Sequence, residues 1–104
     1  MKHLLIILIS ILLLSSPLFG QETGVLYQYE TSSGIQWKTF GDGKVQPKYK
    51  GDVKNGVPNG LGVLIFTDGE KYVGEFKDGE FRNGILYNKD GNTIGKFVNG
   101  VKQK

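Results

Sequence analysis

The sequence predicts an all-β protein, an elongated, twisted, single-layer antiparallel meander of β-hairpins preceded by an N-terminal signal helix. Asn-Gly and Asp-Gly pairs recur along the chain, and such pairs favour the two-residue type I′ turns that join antiparallel strands. The short segments between them alternate apolar and polar residues, as half-buried strands do. Nothing after residue 20 shows the 3.6-residue period of a helix. The pairs are Asp42-Gly43, Asn55-Gly56, Asn59-Gly60, Asp68-Gly69, Asp78-Gly79, Asn83-Gly84, Asp90-Gly91 and Asn99-Gly100.

The first 20 residues have the three regions of a secretory signal. Lys2 and the amino terminus supply positive charge, residues 4–14 are apolar apart from Ser10, and small residues follow up to Gly20. The apolar run is shorter than the ~20 residues of a membrane-spanning helix. We therefore expect cleavage near Gly20 and export to the periplasm or the cell exterior, in preference to an uncleaved N-terminal anchor.

Composition excludes several classes of function. The chain has 104 residues, with 13 Lys and Arg against 10 Asp and Glu, and no basic run or one-sided basic cluster. We therefore expect no nucleic-acid partner. Cysteine is absent, which rules out disulfides, thiol chemistry and lipoprotein attachment. The only histidine, His3, lies within the signal.

Residues 21–47 are predicted to form a hairpin and a degenerate unit that cap the array following them. Residues 25–30 alternate in polarity, Ser32–Gly34 forms a turn, and residues 35–39 alternate again. Terminal units of a repeat array are usually atypical. A flexible linker is the alternative, but Trp37 and its apolar neighbours argue against it. The stretch TFGDGKV at 39–45 echoes IFTDGEK at 65–71, which predicts the degenerate unit.

Glycines recur in register over residues 48–104. Gly51 and Gly74 are 23 positions apart, and Gly74 and Gly95 are 21 apart. A period of this length is the signature of a stacked array. We predict unit 1 at residues 49–71, unit 2 at 72–92 and a partial unit at 93–104. The glycines that define the units are Gly51, Gly56, Gly60, Gly62, Gly69, Gly74, Gly79, Gly84, Gly91, Gly95 and Gly100.

The repeated pattern resembles a known family. Unit 1 reads YKGDVKNGVPNGLGVLIFTDGEK and unit 2 reads YVGEFKDGEFRNGILYNKDGN. The pattern YxGxxxxGxxxGxG, followed by an apolar strand and Asp-Gly, is similar to the MORN repeat. Unit 2 lacks one residue between Gly79 and Gly84, and Thr93 stands where the partial unit should begin with tyrosine.

This resemblance implies a row of β-hairpins, one per repeat, in an elongated twisted sheet. MORN-repeat proteins are mostly assembly or interaction modules, and some have been linked to membrane phospholipid. Where enzymes carry the repeats, catalysis lies in a separate domain, and the sequence predicts no such domain beside this array.

Three glycines inside strands are predicted to accommodate aromatic rings. Gly51, Gly74 and Gly95 each lie in the middle of a triplet that shares one face of a strand. Glycine weakens a strand interior, but a missing side chain leaves space in which a neighbouring ring lies flat. We expect rings to cover these three positions.

No catalytic or metal site is predicted, and no cofactor. After the signal there is no histidine to activate Ser32 or Ser33, and without His or Cys a zinc site is not expected. The stretches DGEK and KDGNT lack the ligand spacing of a calcium loop. Glu70, Glu75 and Glu80 alternate with basic residues, as on a solvated strand face with cross-strand charge pairs. We therefore predict that the protein is not an enzyme.

Alternation assigns most aromatic residues to one face of the sheet and the lysines to the other. Each ring alone is expected to serve packing, but a single layer is expected to leave several of them accessible in a binding groove. The predicted groove residues are Trp37, Tyr49, Phe66, Tyr72, Phe76 and Phe97. The opposite face is predicted to carry Lys50, Asp52, Lys54, Glu75, Lys77 and Lys96, mixed with Val63, Ile65, Val73 and Ile94.

Three functions remain open at this point. The first is a non-catalytic exported module that binds an unidentified protein along the groove or at the last strand edge, or that has a structural role in the envelope. The second is peripheral binding of anionic phospholipid through the lysine-bearing face. The third is carbohydrate binding through Trp37 and surface tyrosines. The sequence specifies neither the partner nor the oligomeric state.

Overall fold

The computed structural model describes residues 22–104, so the predicted signal helix at 1–20 lies outside the described residues. Those residues form one antiparallel sheet of eight strands, in the order β2-β1-β3-β4-β5-β6-β7-β8, and contain no helix. This confirms the all-β, single-sheet prediction. The strands are β1 Glu22–Thr31, β2 Gly34–Lys38, β3 Lys48–Lys54, β4 Val57–Ile65, β5 Lys71–Lys77, β6 Glu80–Tyr87, β7 Thr93–Val98 and β8 Val101–Lys102.

The N-terminal hairpin departs from a strict meander. Strand β1 pairs with both β2 and β3, so β2 forms the sheet edge and the meander begins only at β3. Residues 39–47 cross back over β1, where the Tyr29 hydroxyl donates to the Phe40 carbonyl at 2.8 Å and the Gln28 amide donates to the Pro47 carbonyl at 3.0 Å. The stretch 39–45, predicted as a degenerate unit, therefore forms a crossing loop and no strand.

Type I′ turns form at three of the Asn-Gly and Asp-Gly pairs. Both central residues have positive φ at Asn55-Gly56, Asp78-Gly79 and Asn99-Gly100, as this turn type requires. At 68–69 and 90–91 only the glycine has positive φ, and the turn is closed from Gly69 N–H to the Phe66 carbonyl and from Gly91 N–H to the Asn88 carbonyl. The type I′ prediction is therefore right at the three shortest hairpins and wrong at these two pairs. It is also wrong at Asn59-Gly60 and Asn83-Gly84, which lie within β4 and β6, and at Asp42-Gly43, where neither residue has positive φ.

A row of alternating leucine and tyrosine forms the centre of the core. Leu26, Tyr49, Leu64, Tyr72 and Leu86 stand directly opposite one another on five neighbouring strands. Residues paired in this way lie on the same face of a sheet. The first four are buried, and Leu86 packs against them. The row therefore identifies the inner face of the sheet.

A second row on the inner face consists of glycines. Gly24, Gly51, Gly62, Gly74 and Gly84 are also direct neighbours across five strands. A Cβ built on Gly62 would fall on ring atoms of Tyr49, and one on Gly84 would lie 2.5 Å from Cζ of Tyr72. Each tyrosine ring therefore lies over the glycine of the next strand, Gly62 or Gly84. The prediction placed these rings over Gly51 and Gly74, one strand away.

Gly51 in β3 and Gly74 in β5, which were predicted to accommodate rings, have another role. Gly51 and Gly74 adopt φ of +155° and +156°, and a Cβ at either would meet the backbone of the neighbouring strand. Pairing shifts register immediately after each of them, so they introduce β-bulges that bend the sheet. At Gly95 a Cβ would meet Lys102 and Leu86 but no aromatic ring, so the prediction of a ring there is wrong.

Consecutive units are joined at their turns. The turn Asp78-Gly79 donates two backbone N–H groups to unit 1, and the turn Asn99-Gly100 donates two to unit 2. These bonds are Asp78 N to Asn59 Oδ1 at 3.0 Å, Gly79 N to Pro58 O at 2.9 Å, Asn99 N to Asn83 Oδ1 at 2.9 Å and Gly100 N to Arg82 O at 2.9 Å. Each pair of bonds stabilises the stacking of one unit on the previous one, and we call such a pair a turn clamp.

Candidate functional site

The predicted aromatic groove is filled by the protein itself. Tyr49 and Tyr72 have no accessible surface and Phe76 is 3% exposed. The Phe76 ring lies between the two tyrosines, with ring centroids 4.9 Å from Tyr49 and 5.1 Å from Tyr72 in edge-to-face contacts. These three rings are the core of the sheet, so they cannot contact a ligand in this structure.

The other predicted groove residues cover this core. Trp37 packs edge-on against Tyr49 at 6.2 Å, and Phe97 packs edge-on against Tyr72 at 5.8 Å. Both are partly buried against the core, as is Phe66. The bulges bend the sheet around its aromatic face, which is why the rings are covered without a second layer. A ring held edge-on in this way offers no open platform, so nothing in the arrangement favours the carbohydrate hypothesis.

Trp37 also links the two ends of the curved sheet. It lies on β2, at the sheet edge, yet its indole nitrogen would be 3.1 Å from a Cβ built on Gly79 in the β5–β6 turn. Three strands, β1, β3 and β4, separate β2 from that hairpin in the sheet order. The N-terminal hairpin therefore curls over the inner face and closes it.

The two buried tyrosines are in equivalent environments. The Tyr49 hydroxyl donates to the Asp52 carbonyl at 2.6 Å, and the Tyr72 hydroxyl donates to the Glu75 carbonyl at 2.8 Å. Burial raises the pKa of both hydroxyls above the ordinary value for tyrosine, with a smaller contribution from the carboxylate of Asp52 or Glu75. At Tyr72 a hydrogen bond with the Arg82 backbone partly offsets this rise of the pKa. Both rings are therefore held in the neutral form.

Stability is expected to fall as the pH rises above about 10, the ordinary pKa of tyrosine in an unfolded chain. Above that pH the unfolded state loses the protons of Tyr49 and Tyr72 while the folded state retains them, so each residue lowers the free energy of unfolding by up to about 1.4 kcal/mol per pH unit. Below pH 10 their contribution is fully present. Urea unfolding at pH 8, 10 and 11 measures the effect. In the double variant Tyr49→Phe, Tyr72→Phe the loss should be smaller, and an unchanged slope would contradict the assignment.

The side of the sheet opposite the rings carries a row of aliphatic residues. Val63, Val73 and Ile85 are direct neighbours on β4, β5 and β6, in a row that continues to Lys50 on one side and Lys96 on the other. We call the first three the aliphatic row and this side the outer face. The outer face of an antiparallel sheet is usually polar where water covers it, so three aliphatic neighbours at its centre are unusual.

Charged residues flank the aliphatic row on both sides. Two residues further along the strands in one direction lie Lys48, Ile65 and Lys71, which pair in that order. In the other direction Leu61 pairs with Glu75, and the Leu61 amide donates to Oδ2 of Asp52 at 3.0 Å. The outer face is therefore aliphatic at its centre, basic on one side and of mixed charge on the other, where Lys77 and Arg82 line the same depression as Asp52 and Glu75.

Several aliphatic side chains of this face are exposed. Leu61 is 65% exposed, and Ile65 and Val73 are each 37% exposed. Leu61, Val63 and Val73 line an open depression of about 320 Å³, whose floor is the backbone of Gly62 and Gly74. Single exposed apolar residues are normal, whereas partners bind preferentially at contiguous apolar patches. This patch is the candidate functional site.

Sequence reasoning found part of this site. It assigned Val63, Ile65 and Val73 correctly to the face opposite the rings. It missed Leu61 and Ile85, although alternation along the strand and the repeat lead to both. Leu61 lies two residues before Val63 on the same face of β4, and Ile85 occupies in unit 2 the position of Val63 in unit 1. It gave the binding role to the aromatic face because rings are the more usual binding residues and the curvature was unknown.

The acidic residues of the described part of the chain do not form a metal site. Among residues 22–104 no three His, Cys, Asp or Glu side chains are grouped closely enough to hold a metal ion. The two carboxylates beside Leu61 are engaged structurally: Asp52 accepts from the Leu61 amide, and Glu75 Oε1 accepts from Asn83 Nδ2 at 2.8 Å. Within the same residues there is no helix with the length and apolar character needed to cross a membrane.

Comparison with known proteins identifies the repeat. The family model for the MORN repeat matches residues 49–71 and 72–93, so its second match extends one residue beyond the predicted unit 2. No curated protein sequence matches the chain. MORN repeats form non-catalytic modules that often serve interactions with proteins or membranes. The glycine rows, the bulged hairpins and both family matches together show that the chain is a MORN-repeat protein.

Proposed function

We propose that this protein is a non-catalytic, exported MORN-repeat module that binds a protein partner through its outer face. The observation that carries the proposal is the exposed aliphatic patch around Leu61, Val63 and Val73, which no part of residues 22–104 covers. Export is inferred from the signal pattern of residues 1–20.

The charge pattern describes the partner surface that fits. Lysines lie on one side of the aliphatic row and carboxylates on the other, each about 7 Å away because two residues of a strand span that distance. A protein surface with apolar side chains between an acidic edge and an edge of mixed charge would complement both sides.

Site-specific cross-linking tests this proposal. A photo-reactive residue replaces Leu61 on the outer face in one version of the protein and Lys89, which is exposed in the β6–β7 turn, in another. Irradiation of the exporting cells should give a cross-linked protein species from position 61 and not from position 89. The double variant Leu61→Ser, Val73→Ser should reduce co-purification of that species at least tenfold, because a few central side chains that become buried carry most of the affinity of an interface.

Folding of the double variant is the control. Its urea midpoint should stay close to that of the unmodified protein because both side chains are at the surface. Equal cross-linking from positions 61 and 89, or full co-purification by the folded double variant, would contradict binding through the outer face.

Anionic phospholipid is the second candidate, favoured by the lysines beside the aliphatic patch. Lys48 and Lys71 flank Ile65 directly, and an apolar patch beside basic side chains suits the boundary between headgroups and acyl chains. Co-sedimentation with anionic vesicles at low salt, lost by ~0.5 M salt and lost in Lys48→Gln, Lys71→Gln, would support this candidate. Absence of binding at low salt would eliminate it.

A further inference from the structure

We propose that Asn55 is a site of spontaneous covalent modification, at which the side-chain amide reacts with the backbone nitrogen of Gly56 and is converted to aspartate or isoaspartate. The inference is independent of the proposed function. It comes from a comparison of the four Asn-Gly pairs within the chain, which share a sequence but not a structural environment.

The reaction needs only the chain and water. The Gly56 backbone nitrogen loses its proton and attacks Cγ of Asn55, a C–N bond forms, and the Cγ–Nδ2 bond breaks with release of ammonia. Water then adds to one of the two carbonyl carbons of the resulting cyclic imide. Opening on one side gives aspartate, and opening on the other gives isoaspartate, with one extra carbon in the main chain. Glycine favours this closure because it has no side chain to obstruct the attack.

Two of the four pairs are restrained by the sheet and by their own side chains. Asn59-Gly60 lies within β4 and Asn83-Gly84 within β6. Oδ1 of Asn59 accepts from the Asp78 amide, and Oδ1 of Asn83 accepts from the Asn99 amide. Closure at either site requires the strand and a turn clamp to open first, and such local opening limits the rate of a reaction at a protected backbone group.

Asn55 and Asn99 occupy equivalent type I′ turns but differ in their turn clamps. The Asn99 turn is held on unit 2 by two backbone N–H bonds, one of which uses the nitrogen of Gly100 that would have to attack. The Asn55 turn makes no corresponding bond in the described part of the chain, and a Cβ at Gly56 would meet no atom within 4 Å. Gly56 is therefore the attacking nitrogen with the least restraint.

The chain itself shows that the aspartate product fits. Asp78 occupies the same position of the next hairpin with φ of 50°, close to the 53° of Asn55. Aspartate at position 55 therefore needs no change of turn type. Isoaspartate would lengthen a two-residue turn that sets the pairing of Lys54 with Val57, so this product should loosen the hairpin. Either product adds one negative charge.

Incubation of the purified protein, expressed from the full chain, at about pH 8.5 followed by proteolysis and mass spectrometry tests the proposal. We expect a gain of about 1 Da first in the peptide that contains Asn55, and a rate at Asn99 about tenfold lower because its two clamp bonds must break before reaction. Asn55→Asp supplies the authentic product as a standard. Asn83→Ala removes one clamp bond and should accelerate the reaction at Asn99 only.

Two results would overturn the proposal. One is modification at Asn99, Asn83 or Asn59 as fast as at Asn55. The other is an unchanged Asn55 peptide under conditions in which the same segment, excised as a free peptide, gains the mass.

Discussion

Gly84→Ala is expected to lower the free energy of unfolding by about 3 kcal/mol, the upper end of the cost of inserting a methyl group into a filled core. The new Cβ would lie 2.5 Å from Cζ of Tyr72 and 2.6 Å from the carbonyl oxygen of Val73. The Tyr72 ring cannot move aside because it is fully buried, and the carbonyl belongs to the paired strand. The cause is steric, since the φ of Gly84 is outside the left-handed region. Urea unfolding followed by Trp37 fluorescence measures the loss.

Gly24→Ala is the matched control for this prediction. Gly24 belongs to the same glycine row, and its φ is also outside the left-handed region. A Cβ there would meet only Cγ2 of Val53 at 3.6 Å, an ordinary contact. We expect a change within about 0.5 kcal/mol, because alanine also reduces the entropy of the unfolded chain. Equal losses for Gly84→Ala and Gly24→Ala would show that the ring does not explain the need for glycine.

Tyr72→Ala is expected to lower the free energy of unfolding by about 4 kcal/mol, within the range for removing a buried aromatic ring. Tyr72 stacks on Phe81 with ring centroids 3.9 Å apart and planes 12° from parallel, and it makes edge contacts with Phe76 and Phe97. Its loss would open a cavity between three rings and leave the Glu75 carbonyl without its hydroxyl donor. Chemical denaturation of the purified variant measures the effect.

Two further substitutions serve as controls. One separates the contribution of the Tyr72 ring to stability from that of its hydroxyl, and the other compares a core position with a surface position. Tyr72→Phe keeps the ring and removes one hydrogen bond, so it should lower the free energy of unfolding by about 1 kcal/mol. Leu61→Ala removes an aliphatic side chain that is 65% exposed and should change stability by less than about 0.5 kcal/mol. A Tyr72→Ala variant as stable as Leu61→Ala would contradict the assignment of Tyr72 to the core.

These expected losses of stability also determine how binding experiments on the aromatic residues should be interpreted. A loss of partner binding in Tyr72→Ala or Phe76→Ala would report the loss of the fold, because neither ring is at the surface. Leu61 and Val73 are the residues whose substitution separates binding from folding. The outer face is therefore the place for mutations intended to affect function.

Local sequence predicted the three shortest turns correctly. An Asn-Gly or Asp-Gly pair favours positive φ at both positions, so the hairpins at 55–56, 78–79 and 99–100 follow from the residues themselves. The pair at 68–69 differs because the Asp68 side chain accepts from the Glu70 amide at 2.9 Å, which stabilises a longer loop with the glycine alone at positive φ. A hydrogen bond between a side chain and a nearby backbone amide is a local interaction, but the turn preference of an Asp-Gly pair alone does not include it.

The order of the N-terminal strands could not be predicted in this way. Both strands of the first hairpin alternate in polarity, and either of them could pair with β3. Tertiary contacts decide the choice: the loop 39–47 crosses β1 through the bond from Tyr29 to Phe40, and Trp37 on β2 reaches the turn at Gly79. Contacts between residues so distant in sequence leave no periodic signal.

The sequence by itself determined that this chain is a repeat array of hairpins, because glycine spacing and strand alternation are local properties that every unit carries. It also determined which residues share a face. Only the tertiary structure decided which face is exposed, because exposure depends on the direction in which the bulges at Gly51 and Gly74 bend the whole sheet. The sheet bends around its tyrosines, so the rings form the core and the aliphatic row is left for a partner.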